Sequence, residues 1–473
     1  MSSERQSMKI HFYGATQTVT GSQYYLEING KSLLVECGLY QGRRADTYDR
    51  NKYFQFNPRK LDAVVLSHAH IDHCGNLPNL VKNNYTGPIY CTSATADLTD
   101  LLVRDSAHIQ ESDIEYINKK KKRKGEPLVE PLYTVEDANM VKDLLVHRKY
   151  NEEFEPIPGV TITLVDAGHI LGSAAVILDL EEHGKKTRLW FSGDIGRPGL
   201  PLISDPVFPD HCDYLMMEST YGDKVHGSLT EAYEEMCKVM LKTFERRGKV
   251  IIPAFAVGRT QEIVYELNNM MLRGDLPKIP VYVDSPLAVK TTDIFIDHKE
   301  YFDEETHQFI REYRHPALNF DGLTYIRSVE ESKALNNRQD PMVIISASGM
   351  AEAGRILHHL KNNIENPRNT VMIVSWQAPE TLGRRLADRE PRVKIFGEEY
   401  EVRAEISTIG GLSAHAGQDL LIKYAQQVKD SARKIIMVHG EPRSADVLIE
   451  KFKDLNLPEV FYPERFDALE LAG

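Results

Sequence analysis

The segment Val64-Val65-Leu66-Ser67-His68-Ala69-His70-Ile71-Asp72-His73 delivers three imidazoles and a carboxylate directly behind a run of Val and Leu. Neutral imidazole and carboxylate are the ligands zinc takes where thiolates are absent. His68 and His70 are two residues apart, so in extended chain they project to one side and can grip one ion. Asp72 and His73 follow as the chain turns into a helix, and can face a second. The bland alternative is four polar residues in a solvated turn; a buried strand ending in three histidines and an aspartate argues against it. Two ions need more ligands, and three other strand ends offer them: His169 after Val165-Asp166-Ala167-Gly168, Asp194 after Trp190-Phe191-Ser192-Gly193, and His439 after Ile435-Ile436-Met437-Val438. Each alone is weak, since a strand-end histidine is more often a satisfied surface or core residue. With the tetrad they complete a set of seven, in which a carboxylate such as Asp194 can bridge.

A polyanionic substrate would need local positive charge. Arg384, Arg385, Arg389, Arg392 and Lys394 cluster, and Arg259 opens a helix after a small-residue loop. The competing reading of the cluster is a helix face salt-bridged to Asp388 and Glu390. Ser348 and Gly349 lie between an apolar strand and a helix, where backbone amides can cradle a phosphate. Arg259, Ser348, Gly349 and Arg384 are therefore the candidate substrate contacts. The run of basic residues at 119–124 reads as a solvated loop between helices rather than an RNA contact.

These side chains need elements to hold them. In the first 200 residues, short apolar or alternating runs at 9–13, 24–28, 33–36, 63–67, 160–165, 174–180 and 188–191 predict strands, with helices near 94–110 and 135–145. From about Tyr214 the rhythm changes. Strand-like Lys249–Pro253, 280–283, Met342–Ser346 and 370–375 alternate with helices near 230–246, Arg259–Arg273 and Arg355–Asn363, which predicts a parallel sheet with crossover helices. Near Glu401 the short-strand style returns and ends in Lys434–Val438 and a helix. One domain inserted into another explains this order: 1–209 and 402–473 as the outer domain, 210–401 as the insertion.

At 473 residues, with 57 Lys+Arg against 69 Asp+Glu and 42% hydrophobic residues, the chain is ordinary globular α/β material. A net charge of −12 excludes a protein that coats nucleic acid through global charge, but not one with a local basic cleft. The five cysteines form no CxxC pair, which excludes a cysteine-rich zinc finger and fits a reducing cytoplasm. No segment approaches the roughly 18 apolar residues of a membrane span, and no signal-peptide stretch opens the chain.

The order of these motifs resembles the metallo-β-lactamase fold in its di-zinc hydrolase form, and the later chain resembles its β-CASP subgroup of nucleases, which includes bacterial ribonuclease J and the cleavage-and-polyadenylation endonuclease. Glu218 in Met217-Glu218-Ser219-Thr220 matches that subgroup's motif A, His415 in Leu412-Ser413-Ala414-His415 its motif B, and His439 in Val438-His439-Gly440-Glu441 its motif C. The resemblance implies an αββα sandwich with an inserted β-CASP α/β domain whose parallel sheet is flanked by helices. It assigns His68, His70 and His169 to one zinc, Asp72, His73 and His439 to the other, and Asp194 to both. It also places Glu218 and His415 beside the metals, making Asp72, His415 and Glu218 the catalytic group. One departure stands out: the family usually has Asp before Cys-Gly, and this chain has Val35-Glu36-Cys37-Gly38. In the family that carboxylate supports the metal loop from behind.

The activity implied is a two-Zn2+ ribonuclease acting on single-stranded RNA in the cytoplasm and giving 5′-phosphate and 3′-hydroxyl ends. Internal cutting and 5′-to-3′ degradation both fit, as does a homodimer. A non-catalytic processing scaffold is disfavoured because all seven ligand positions are filled. A small-molecule hydrolase would have no need of the large insertion. A DNA nuclease of the subgroup typically carries an apolar residue where this chain has His439.

Overall fold

The computed structural model describes residues 8–42, 44–314 and 316–472. They form two compact units. The first comprises the described residues up to Pro198, Asp205–Val225, and the chain from His415 onward; the second comprises Gly199–Ser204 and His226–Ala414.

The first unit is built on two seven-stranded sheets. One runs in the order Ala468–Glu470, Lys9–Gly14, Gln23–Ile28, Lys31–Val35, Ala63–Val65, Ile89–Thr92, Leu145–Arg148. The other runs Glu459–Phe461, Lys434–Val438, Tyr214–Glu218, Lys185–Phe191, Ala174–Glu182, Val160–Asp166, Glu153–Ile157. Successive side chains on a strand point to opposite faces, and the cores follow that period. Ile10, Phe12, Leu189, Phe191, Met216 and Val438 meet in the central core. Their neighbours Trp190, Leu215, Met217 and Met437 pack instead with Leu421, Tyr424, Leu448 and Phe452 of helices Gln418–Gln426 and Pro442–Asp454. Leu34, Val64 and Leu66 turn the other way, onto Leu77, Leu80, Val103 and Val141 of the helices outside the first sheet. Buried sheet faces on both sides give the order helix, sheet, sheet, helix.

The second unit carries a six-stranded sheet, Leu323–Tyr325, Val281–Val283, Met342–Ser346, Lys249–Pro253, Thr370–Ile373, Glu405–Thr408. Every neighbouring pair is parallel. Met342–Ser346 and Lys249–Pro253 are buried along their whole length, as strands covered on both faces must be.

The basic run at 119–124 departs from the sequence reading. It is the last part of a 32-residue helix, Ser93–Lys124, stopped by Gly125 at φ 70. Lys and Arg are good helix formers, and at a C-terminus they face the negative end of the helix dipole, so the charge run extends the helix instead of breaking it.

Candidate metal centre

Seven candidate ligands converge at one edge of the sandwich unit, because each follows the end of a buried strand. Strand Ala63–Val65 runs out through a bend at Ser67 to His70, whose extended backbone precedes the short helix Ile71–Cys74. His68 and His70 therefore lie on the connecting segment, and Asp72 and His73 in the first helical turn. His169, Asp194 and His439 follow Val160–Asp166, Lys185–Phe191 and Lys434–Val438 of the second sheet.

Two sub-clusters result. In the first, His68 Nε2 lies 3.1 Å from His70 Nδ1, and His169 Nε2 lies 3.2 Å from the same atom. Asp194 Oδ2 closes the group at 3.5 Å from His68 Nε2 and 3.6 Å from His169 Nε2. In the second, His439 Nε2 is 3.3 Å from Asp72 Oδ2, while His73 Nε2 is 3.3 Å and His439 Nδ1 3.4 Å from Asp194 Oδ1. Asp194 thus turns one oxygen to each group.

These separations suit metal binding. Ligand atoms about 2.0–2.1 Å from a tetrahedral zinc stand roughly 3.3–3.4 Å from one another. His73 Nε2 and Asp194 Oδ1 are buried and face each other at 3.3 Å without a well-formed hydrogen bond. Burial would discharge His73, but Asp194, Glu36 and Asp72 outweigh it and raise it well above the usual histidine range, so a cation entering here takes the place of its proton. The protonation states of the first group agree. Burial, aided by neighbouring imidazoles, holds His68 and His169 well below the usual histidine range. Burial also brings His70 down to about 4, so all three are neutral and their lone pairs available. At Asp72 and Asp194 burial opposes ionisation, but the facing histidines outweigh it: Asp72 falls to about 2 and Asp194 lies well below the usual carboxylate range. Carboxylates held ionised in this way, buried Asp194 above all, call for cations.

A second shell fixes the first. Glu36 is fully buried and accepts from the Ser67 amide at 2.5 Å and the Ser67 hydroxyl at 3.0 Å. Its Oε2 also lies 2.5 Å from His73 Nδ1, which leaves Nε2 for the cluster. Ser67 Oγ reaches His68 Nδ1 at 2.9 Å, so one carboxylate orients two imidazoles. Thr220 Oγ1, 3.1 Å from His439 Nδ1, contacts a third. Neither Ser67 nor Thr220 figured in the sequence reading, although each stands within a motif it used.

Beyond Asp194 lies His415. Its Nδ1 is 3.1 Å from Glu218 Oε2, 3.4 Å from Glu218 Oε1 and 3.9 Å from Asp194 Oδ2. Glu218 is wholly buried and accepts from the Ile195 amide at 2.6 Å. Burial would discharge His415, but Glu218 and then Asp194 more than compensate, raising it to about 9.

The four candidate substrate contacts belong to the second unit. Arg259 is buried, paired with Glu262 and donating to the Leu412 carbonyl, so its guanidinium is committed to protein partners. Arg384 pairs with Asp388 at 2.8 Å and Arg385 with Glu390 at 2.7 Å, the salt-bridged face weighed above. Ser348 Oγ accepts from the Glu352 amide at 3.1 Å, and the Gly349 carbonyl accepts from Gln377 Nε2 at 3.0 Å. Gly349 also packs closely, since a Cβ there would lie 3.1 Å from the Phe255 ring.

A strand-edge cluster of histidines and aspartates on an αββα sandwich defines a metallo-hydrolase, and comparison with known proteins agrees. The metallo-β-lactamase superfamily model matches residues 17–214, the β-CASP domain model 260–386, and the model described as a Zn-dependent metallo-hydrolase RNA specificity domain 399–463. The chain belongs to the β-CASP branch of the metallo-β-lactamase superfamily, and is a metal-dependent hydrolase. It is 36% identical over 434 residues to ribonuclease TTHA0252 of Thermus thermophilus, covering 92% of this chain and 93% of that one. It is 31% identical to the transcription termination factor FttA of Methanocaldococcus jannaschii, over 98% of this chain and 72% of that protein. An RNase J-like protein of the same archaeon is 29% identical, over 96% of this chain and 98% of its own. Among solved structures, a protein of unknown function from Enterococcus faecalis superposes with a TM-score of 0.56 at 12% identity, over 98% of this chain and 100% of that one, a likeness of fold alone. Among the described residues no helix is long and apolar enough to cross a membrane.

Proposed function

We propose that this protein is a di-zinc ribonuclease that hydrolyses phosphodiester bonds of single-stranded RNA, with His68, His70 and His169 holding one ion, Asp72, His73 and His439 the other, and Asp194 both. The observation that carries the reading is the pairing of His415 with buried Glu218 beside the doubly directed Asp194. A phosphodiester resists hydrolysis because hydroxide is repelled and the 3′-oxygen leaves as an alkoxide. Metal ions bound here would neutralise a phosphate oxygen and supply a more acidic water.

The protein's own groups do the rest. Asp194 and Asp72, held ionised, fix the charge of the site. His415, kept cationic and oriented by Glu218, gives its proton to the 3′-oxygen as the phosphorus–oxygen bond breaks and a bond from water forms, the attacking water releasing a proton to solvent. The products are a 5′-phosphate and a 3′-hydroxyl. The relatives named as a ribonuclease and an RNase J-like protein support RNA as the substrate. Incubation of the purified protein with 5′-labelled linear RNA and with circular RNA, with and without chelator, tests this reading. We expect chelator-sensitive cleavage of linear RNA; cleavage of the circle identifies internal cutting. Intact RNA alongside rapid thioester or lactone hydrolysis would reject the assignment.

A further inference from the structure

The sandwich unit holds a second polar hollow, next to the metal-binding residues but lined by other side chains. It has a volume of about 530 Å3 and lies among the loop between the first two strands, helix Arg44–Lys52 and the chain around Arg465. Thr16, Thr18, Thr20, Tyr40, Arg50 and Arg465 contribute to its wall.

Its charge is unbalanced. Arg50 stacks over the Tyr40 ring at 4.3 Å, and Arg465 donates to the Tyr13 carbonyl at 3.0 Å and the Arg50 carbonyl at 3.5 Å. Among the described residues neither guanidinium has a carboxylate within ion-pair distance, and Glu464 is the sole carboxylate in the lining. Two positive charges to one negative is a notable excess in a chain of net charge −12. Burial and the nearness of Arg50 depress the Arg465 guanidinium below its ordinary range, so the pair is held together at a cost that an anion would relieve.

The backbone adds donors. Ala15, Gln17 and Gly21 have φ of 49, 54 and 80, and backbone of alternating hand gathers N–H groups around anions. Among the described residues, no amide of 16–21 donates to a protein acceptor. The loop is also tied to the metal centre at both ends. The Ala15 carbonyl accepts from the His439 amide at 2.8 Å, and the Ser22 amide donates to the Asp72 carbonyl at 2.8 Å.

We propose that this hollow binds a phosphate group, and, resting on the ribonuclease reading above, that it is a phosphate of the RNA strand away from the bond being cut. Arginine forks and converging amides are the groups that recognise phosphate oxygens. A free phosphate or mononucleotide offers the same chemistry, so the test separates the sources. RNA binding by the purified protein and by the Arg50→Ala/Arg465→Ala double variant is measured across a salt series, and inorganic phosphate is titrated into each by calorimetry. We expect the double variant to bind RNA at least tenfold more weakly, with a salt slope shallower by about 0.7, and to lose a phosphate-binding event. Wild-type RNA affinity and slope with the phosphate event lost would reject the strand and leave a free-phosphate site. Both unchanged would overturn the proposal altogether. If the wild type neither binds nor cuts RNA, the ribonuclease reading fails, and the phosphate titration alone decides the hollow. Should the double variant unfold, Arg50→Gln at an exposed helical position carries the same slope measurement.

Discussion

A general acid must hold its proton until the leaving oxygen needs it, and must not be consumed as a ligand. His415 meets the first condition through Glu218 and the second through position, since its Nδ1 faces Glu218 at 3.1 Å while Asp194 Oδ2 is 3.9 Å away. His415→Ala should therefore keep its metal, measured by elemental analysis, while kcat falls about 10²–10⁴-fold. His439→Ala should lose metal instead. Loss of metal from His415→Ala, or a wild-type rate, would end the acid assignment. Glu218→Gln keeps the shape but removes the charge that lifts His415 to about 9. With a lower pKa the proton is gone at lower pH, so the rate should fall on the alkaline side first, and an unmoved alkaline limb would argue against the pair. The tetrad at 68–73 was legible because its spacing is local. The Leu412 carbonyl that Arg259 reaches was not, because it is 153 residues away and only the fold brings it to the guanidinium. Arg50 and Arg465, 415 residues apart, likewise come together only in the fold.

The elements position these side chains through backbone contacts too close for any larger residue. A Cβ on Gly38 would lie 1.7 Å from the Asp72 carbonyl oxygen and 2.4 Å from its carbon, and both are main chain, so no side chain can swing aside. The Cys37 amide donates to the His73 carbonyl at 2.8 Å, binding the same two segments together. Gly38→Ala should push the helix Ile71–Cys74 away, displacing Asp72 and His73 together. We expect reduced metal content and a stability loss of about 1–3 kcal/mol or more, read by elemental analysis and denaturant unfolding. Wild-type values for both would show that the loop yields easily. Several strands and amphipathic helices were readable from period alone; Lys249–Pro253, Met342–Ser346, Arg259–Arg273 and Arg355–Asn363 have the bounds their sequences suggest. The basic end of Ser93–Lys124 was not, because charge without an apolar stripe carries no helical period, and only propensity and the dipole keep it wound.

At the scale of the molecule, the switch from short strands to strand–helix alternation and back made an insertion legible, but not which strands would lie side by side. That pairing matters because the candidate ligands divide between the two sheets. His68, His70, Asp72 and His73 follow a strand of the first sheet, and His169, Asp194 and His439 follow strands of the second. Metal bound there would link chain segments as far apart as residues 68 and 439 across the sandwich edge. A ligand that binds the folded state alone stabilises it by RT ln(1 + [L]/Kd), about 4 kcal/mol at a thousandfold excess over Kd. For a unit of this size, each kcal/mol moves the melting temperature by roughly 2–4 °C. Chelation should therefore lower the melting temperature of the sandwich by several degrees, and zinc should restore it. His439→Ala, short of one ligand, should begin lower and respond less to chelator. The check is a thermal scan with paired elemental analysis. An unchanged melting temperature in protein shown to have lost its metal would mean that the two sheets hold this edge without it, and that the cluster serves chemistry alone.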